Sequence, residues 1–305
     1  MSINLSVKIG KLKLKNPVMV ASGTFGYAEE FKDFINLKAL GAIVTKTITL
    51  KPRKGNPPPR TCETPAGMLN SIGLENPGLE VFLKEKLPFL MKLKVPVIIS
   101  IASENDPEEF VELAKKINKI NTISALELNI SCPNVVGHRD LISQDSKATY
   151  RIVSSVRKVT SKVLITKLSP NVTSISEIAK AAESAGSDAV SLINTLSGMS
   201  IDVEKRKPKL AAITGGLSGP AIRPVAIKMV WEVYNKIKIP IIGMGGIMDS
   251  SSALEFFIAG ATAVGIGTAN FINPQAIVEI VSGIKAYLQR NKISEIGKLT
   301  GNLKI

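Results

Sequence analysis

The stretch Asn129-Ile-Ser-Cys-Pro-Asn-Val-Val-Gly-His138 holds one of the chain's two cysteines and its single histidine. Three fates are open to Cys132: a small buried hydrophobe, half of a metal or disulfide pair, or a working thiolate. With Cys62 as the only other thiol, no four-thiolate iron–sulfur centre or structural zinc site can form, and no metal is expected. A protease-like Cys–His pair is not expected either, and His138 is read as a solvent-facing loop residue. The asparagines at 70, 129, 134 and 194 each offer a paired donor and acceptor, which suits a planar cyclic amide or imide; capping and turn roles are the alternative.

Two lysines add charge. Lys46 follows the apolar run Ala42–Thr45, and Lys167 ends Val163–Thr166. Each ammonium leaves a buried strand, so it needs an anionic or hydrogen-bonding partner or must snorkel to water. The glycine-rich turns Gly243-Met-Gly-Gly246 and Gly265-Ile-Gly-Thr268 allow backbone amides to approach a phosphate, and Gly215-Gly-Leu-Ser-Gly219 is a third source of such donors.

The elements that must position these groups are short apolar runs bounded by small polar residues: Val18–Ala21, Ala42–Thr45, Val97–Ile101, Ala125–Ile130, Val163–Thr166, Ala189–Ile193, Ile241–Gly243 and Ala263–Ile266. Segments of helical period separate them. Asp106-Pro107 opens one helix, Ser174–Ala185 ends at Gly186, and Ser250–Ala259 ends at Gly260. Alternating buried strands and helices predict parallel βα units, and their number favours a closed (β/α)8 TIM barrel over an open doubly wound sheet. Residues 3–14 alternate apolar and polar around Gly-Lys, predicting an N-terminal β-hairpin. Residues 51–60 and 197–220 break the βα rhythm and are expected as loop insertions at the carboxyl ends of strands. The pattern resumes after each, so residues 1–305 are read as one domain. In such a barrel the strand carboxyl ends carry the chemistry, and Ser22, Lys46, Thr47, Ser100, Asn129, Cys132, Asn134, Lys167, Asn194, Thr195 and the two glycine turns fall there.

Composition narrows the classes. A 45% apolar, 21% charged chain without an apolar stretch of about 20 residues is that of a globular protein with no membrane span. The N-terminus lacks the pattern of a signal peptide, and a cytoplasmic location is expected. The net charge of +14 raises a nucleic-acid reading. The lysines, however, are spread along the chain without interleaved aromatics, so a solvated basic surface is expected instead.

In this order the segments A-S-G-T-F-G (21–26), K-T-I-T-L (46–50), M-L-N-S-I-G-L-E-N-P-G (68–78), N-I-S-C-P-N-V (129–135), K-L-S-P-N-V (167–172), I-N-T-L-S-G-M (193–199), G-G-L-S-G-P (215–220), G-M-G-G-I (243–247) and G-T-A-N-F (267–271) resemble the class 1 dihydroorotate dehydrogenases, class 1B most of all. The resemblance implies an FMN enzyme of pyrimidine biosynthesis that oxidises dihydroorotate to orotate, with Cys132 as the base for the C5 proton. It implies substrate contacts from Lys46, Asn70, Ser71, Ile72, Gly73, Leu74, Asn129, Asn134, Asn194 and Thr195. It implies FMN contacts from Ser22, Lys46, Thr47, Ser100, Asn129, Lys167, Ile193, Gly219, Gly245, Gly246, Gly267 and Thr268. Two features depart from the family: Ser100 stands where asparagine is usual, and the loop after Asn134 lacks a double glycine. A homodimer is implied, or a heterotetramer with a subunit carrying FAD and a [2Fe-2S] cluster that reoxidises the flavin; neither nucleic acid nor membrane is an expected partner. The alternatives are a tRNA-dihydrouridine synthase-like FMN enzyme and a non-catalytic phosphate-ligand or RNA-binding barrel.

Overall fold

A computed structural model describes residues 3–103, 106–131 and 144–304. Cys132, Asn134 and His138 lie outside the described residues. The strands are β1 Val7–Ile9, β2 Leu12–Leu14, β3 Val18–Val20, β4 Ile43–Val44, β5 Thr61–Thr64, β6 Gly67–Asn70, β7 Val97–Ile101, β8 Ala125–Asn129, β9 Val163–Lys167, β10 Ala189–Leu192, β11 Leu196–Met199, β12 Ile201–Asp202, β13 Lys207–Pro208, β14 Thr214–Ser218, β15 Ile241–Met244 and β16 Ala263–Ile266. The helices are α1 Gly78–Val81 and α2 Leu87–Lys92, joined by a π-turn, then α3 Glu108–Asn118, α4 Ser146–Arg157, α5 Ile175–Ser184, α6 Arg223–Tyr234, α7 Ser250–Ala259, α8 Ala269–Ile272 and α9 Ala276–Arg290.

Eight strands pair in parallel in the order β3-β16-β15-β10-β9-β8-β7-β4. A parallel bridge between Met19 and Ala42 brings the last strand back to the first, which makes a (β/α)8 barrel. Alternation along each strand divides the apolar residues between two layers. On β7, Val97, Ile99 and Ile101 pack outward with helical residues such as Leu113 and Ile117. Ile98 instead packs inside the barrel with Met19, Val44, Ala125, Val163, Ile165, Ala189, Ile242 and Ala263. Burial on both faces is why these strands read as continuous apolar runs.

The hairpin β1–β2 plugs the barrel, because Ile9 and Leu14 belong to that inner cluster. It is shorter than expected: residues 3–6 are not part of it, and Asn4 bridges to Glu295. Between β3 and β4 no α-helix forms; two 3-10 turns, Glu29–Phe31 and Leu37–Ala39, make the connection. Gly186 and Gly260, both at positive φ, follow α5 and α7 as expected.

The two insertions differ most from the expectation of loops. Residues 51–60 do connect as a loop, but β5 and β6 follow, and β11 and β14 lie within 197–220. Together they form a four-stranded antiparallel sheet, β11-β14-β6-β5, in which Asn70 pairs with Gly216 and Leu69 with Leu217. Gly215 and Gly216 are therefore strand residues. A Cβ on Gly216 would stand 2.0 Å from Thr195 Oγ1, and one on Gly215 would stand 2.7 Å from the Asn70 carbonyl oxygen. These glycines allow close approach of Asn70 and Thr195.

Candidate functional site

One cavity opens at the carboxyl ends of the barrel strands, roofed by the four-stranded sheet. Ser22, Lys46, Thr47, Asn129, Lys167, Ile193, Asn194, Thr195, Gly245, Gly246, Gly267 and Thr268 line it from the barrel, and Asn70, Ile72, Gly73, Leu74 and Gly219 from the insertions. Two of the expected contacts among the described residues are not in this lining. Ser71 is fully buried, and its backbone N–H donates to the Arg60 carbonyl at 2.7 Å. Side chains alternate along this extended segment, so Ser71 points away where Asn70 and Ile72 face the cavity. Ser100 is fully buried below the floor, where its Oγ lies 2.9 Å from Thr47 Oγ1.

Thr47 is the centre of that floor. Its hydroxyl accepts from Asn129 Nδ2 at 3.1 Å and lies 3.0 Å from Ser22 Oγ. A hydroxyl has one proton and two lone pairs, so these two contacts and Ser100 saturate it. The network continues upward. Ser131 Oγ donates to Asn129 Oδ1 at 3.2 Å, and Asn194 Nδ2 donates to the Ser131 carbonyl at 3.2 Å and its hydroxyl at 3.0 Å. Asn194 Oδ1 in turn accepts from the Thr195 N–H at 2.8 Å. The ends of β3, β4, β8 and β10 are thereby tied together. Ser131 was not among the sequence candidates; its place beside Cys132 is the only signal that could have found it.

Charge enters from two sides. Lys46 Nζ lies 4.0 Å from Glu75 Oε2, an oxygen that also accepts from Arg60 Nη1 at 2.7 Å. Glu75 lines the cavity and follows Leu74, whose φ of 58° is a left-handed conformation unusual for leucine. Lys167 is 4% exposed, and its ammonium has no hydrogen bond or ion pair with a protein group among the described residues. A buried cation with no protein partner among the described residues calls for an electron-rich ligand.

The last two strand ends supply shape. Gly245 and Gly246 have φ of 126° and 74°, which glycine alone adopts freely. A Cβ on Gly267 would meet nothing closer than 3.8 Å, so any larger side chain there would take up cavity space. Thr268 Oγ1 donates to Ser218 Oγ at 2.8 Å and joins the turn after β16 to the end of β14. Ser218, a lining residue hidden in a glycine-rich run, was also missed by sequence reasoning. Glycine turns at the ends of β15 and β16, with a buried lysine across the cavity, fit a group with a phosphate at one end and an electron-rich planar edge at the other. Flavin mononucleotide is such a group.

The model of the family described as dihydroorotate dehydrogenase matches residues 4–288. The catalytic subunit of dihydroorotate dehydrogenase B (NAD(+)) from Geotalea daltonii is 54% identical over 302 residues, covering 99% of both chains. The protein of the same name from Geotalea uraniireducens is 53% identical over 300 residues, 98% of both chains. That from Caldicellulosiruptor bescii is 53% identical over 303 residues, 99% of this chain and 100% of its own. Among the described residues no helix is long and apolar enough to cross a membrane.

Proposed function

The chain belongs to the dihydroorotate dehydrogenase family, FMN-dependent oxidoreductases of pyrimidine biosynthesis, on its class 1B branch, and from that premise we propose how its own residues carry out the reaction. The observation that carries the reading is the cavity itself, where Lys46 and the buried Lys167, whose ammonium has no partner among the described residues, meet the amides of Asn70, Asn129 and Asn194.

Dihydroorotate has one carboxylate and a ring of alternating amide donors and acceptors. Lys46 is the cation placed to hold the carboxylate, and the side chains of Asn70, Asn129, Asn134 and Asn194 are matched to the ring. Ile72, Gly73, Leu74 and Thr195 close the cavity around it. Cys132 takes the proton from C5, which lies α to a carbonyl and is the acidic position of the ring. When bound, FMN supplies the hydride acceptor, its N5, for the hydrogen that leaves C6. Loss of that proton and that hydride converts dihydroorotate to orotate. Gly219, Gly245, Gly246, Gly267 and Thr268 would hold the phosphate end, and Ser22, Thr47 and Ile193 the ring system. Lys167 would face the N1–C2 carbonyl edge, where negative charge collects. Ser100 acts through Thr47.

The relatives named above are catalytic subunits of NAD(+) enzymes. This supports a separate electron-transfer subunit carrying FAD and a [2Fe-2S] cluster, assembled with a homodimer of this chain as a heterotetramer in the cytoplasm. No observation favours the tRNA-modifying or RNA-binding alternatives. The decisive experiment adds dihydroorotate to the purified protein without oxygen and follows flavin absorbance. Bleaching of the flavin is expected; a bound flavin that stays oxidised would overturn the assignment.

A further inference from the structure

Glu127 is a carboxyl group inside the barrel that none of the steps above uses. It is 1% exposed, its Oε2 accepts from Ser191 Oγ at 2.9 Å, and its Oε1 is buried with no hydrogen-bond partner among the described residues. Burying an acidic side chain in this half-satisfied state costs several kcal/mol unless something nearby compensates. The sheet order says what that is. Glu127 lies on β8 and Ser191 on β10, with β9 between them. A 2.9 Å contact between them therefore requires the carboxyl to cross the inner face of β9.

The register fixes where it crosses. Glu127 is opposite Ile165, Asn129 is opposite Lys167, and Lys167 is in turn opposite Ser191. Glu127 is thus the diagonal neighbour of Lys167 on one strand, and its hydrogen-bond partner is the direct neighbour of Lys167 on the other. Diagonal neighbours on one face are within reach of long side chains. Two buried groups of opposite charge type share this corner, each lacking a full set of partners: Lys167 has none among the described residues, and Glu127 has one.

We propose that Glu127 is a positioning residue for Lys167: a buried carboxylate, tethered by Ser191 beneath the cavity floor, that balances the lysine's charge and directs its ammonium up toward the ligand. Lys167 touches the ligand; Glu127 acts through it. The ligand edge then meets a cation whose field is partly offset from below, and the extent of that offset sets how strongly negative charge on the ligand is favoured.

The test is a double-mutant cycle on thermal and denaturant unfolding of the cofactor-free protein, using Glu127→Gln, Lys167→Met and the double variant. Gln keeps the shape and can still accept from Ser191, so only the charge is removed. With Lys167 present, Glu127→Gln is expected to raise the unfolded-to-folded ratio about tenfold or more, whereas in the Lys167→Met background the change falls below about threefold. Equal costs in the two backgrounds would overturn the proposal. A Glu127→Gln protein that folds only when Lys167 is also replaced supports it, and one that folds in neither background overturns it. A second readout rests on the FMN reading: loss of the carboxylate should shift the FMN reduction equilibrium toward the reduced form about tenfold, a rise in midpoint potential of ~30 mV for two electrons. An unchanged potential in a flavin-loaded variant would count against Glu127. A protein that shows the stability coupling but binds no flavin would keep the Glu127–Lys167 link and sink the FMN assignment, so the two failures are separable.

Discussion

Asn194 Nδ2 donates to both the carbonyl and the hydroxyl of Ser131, at 3.2 and 3.0 Å, and so holds from two strands away the residue that precedes Cys132. Ser131 is fully buried, and its own hydroxyl passes the contact on to Asn129. A base that must reach one ring carbon depends on such a support, because small misplacements of a reacting group cost large factors in rate. Ser131→Ala keeps the backbone contact and deletes the hydroxyl link. We expect the rate of flavin reduction by dihydroorotate to fall about tenfold while FMN affinity stays within a few-fold. Stopped-flow and flavin titration measure the two, and a loss confined to FMN binding would contradict the positioning role.

Cys132 itself is tested by Cys132→Ser. A serine hydroxyl is a far weaker acid than a thiol, so little of it is available as a base near neutrality. Flavin reduction should slow by on the order of a hundredfold or more at pH 7 and recover as the pH rises. A variant with the parent rate and pH profile would remove Cys132 from proton transfer.

Glu75 predicts an effect on substrate binding of opposite sign. Its carboxylate lies 4.0 Å from Lys46 and is engaged by Arg60, so an anion already stands beside the lysine proposed to hold the substrate carboxylate. Both side chains are partly exposed, and the attraction is screened. Glu75→Gln should lower KM for dihydroorotate by about two- to fivefold at low salt, with the gain shrinking as salt is added. Initial-rate measurements at two ionic strengths decide it; a raised KM would show instead that Glu75 orders Lys46 for its role.

How much of this was legible in the sequence depended on the kind of burial each residue has. The barrel strands read clearly because both faces are covered, as at Val97–Ile101, where every residue is buried. The roof did not. β6 and β14 are short, half-exposed and glycine-bearing, and their pairing joins residues near 70 to residues near 216, a contact that no local pattern encodes. Most of the site could be read from polar residues at strand ends, since the barrel gathers those ends at one face. Ser100 and Glu127 sit one layer lower on the same strands, where only the register shows which group each one supports.

The helix after the Gly245–Gly246 turn carries a prediction about acid. Asp249 Oδ1 accepts from the Ser252 N–H at 2.7 Å and Ser252 Oγ accepts from the Asp249 N–H at 3.0 Å, a capping box at the start of α7, three residues after Gly246; Ser252 Oγ also donates to Asp249 Oδ1 at 2.7 Å. These hydrogen bonds, the backbone one first, together with the charge of Arg223, hold its carboxyl below the usual carboxylate range. A carboxyl depressed in the folded state contributes stability above its unfolded pKa and loses that contribution as the pH falls through its lower folded value. Asp249→Ala should therefore cost about 1 kcal/mol at pH 7, and the gap to the parent should close below about pH 3. Asp249→Asn, which retains an acceptor without the charge, should lose less at pH 7 and show a flatter pH dependence. Unfolding midpoints at the two pH values test this; a gap that persists unchanged in acid would mean that the carboxylate charge is not what the cap uses.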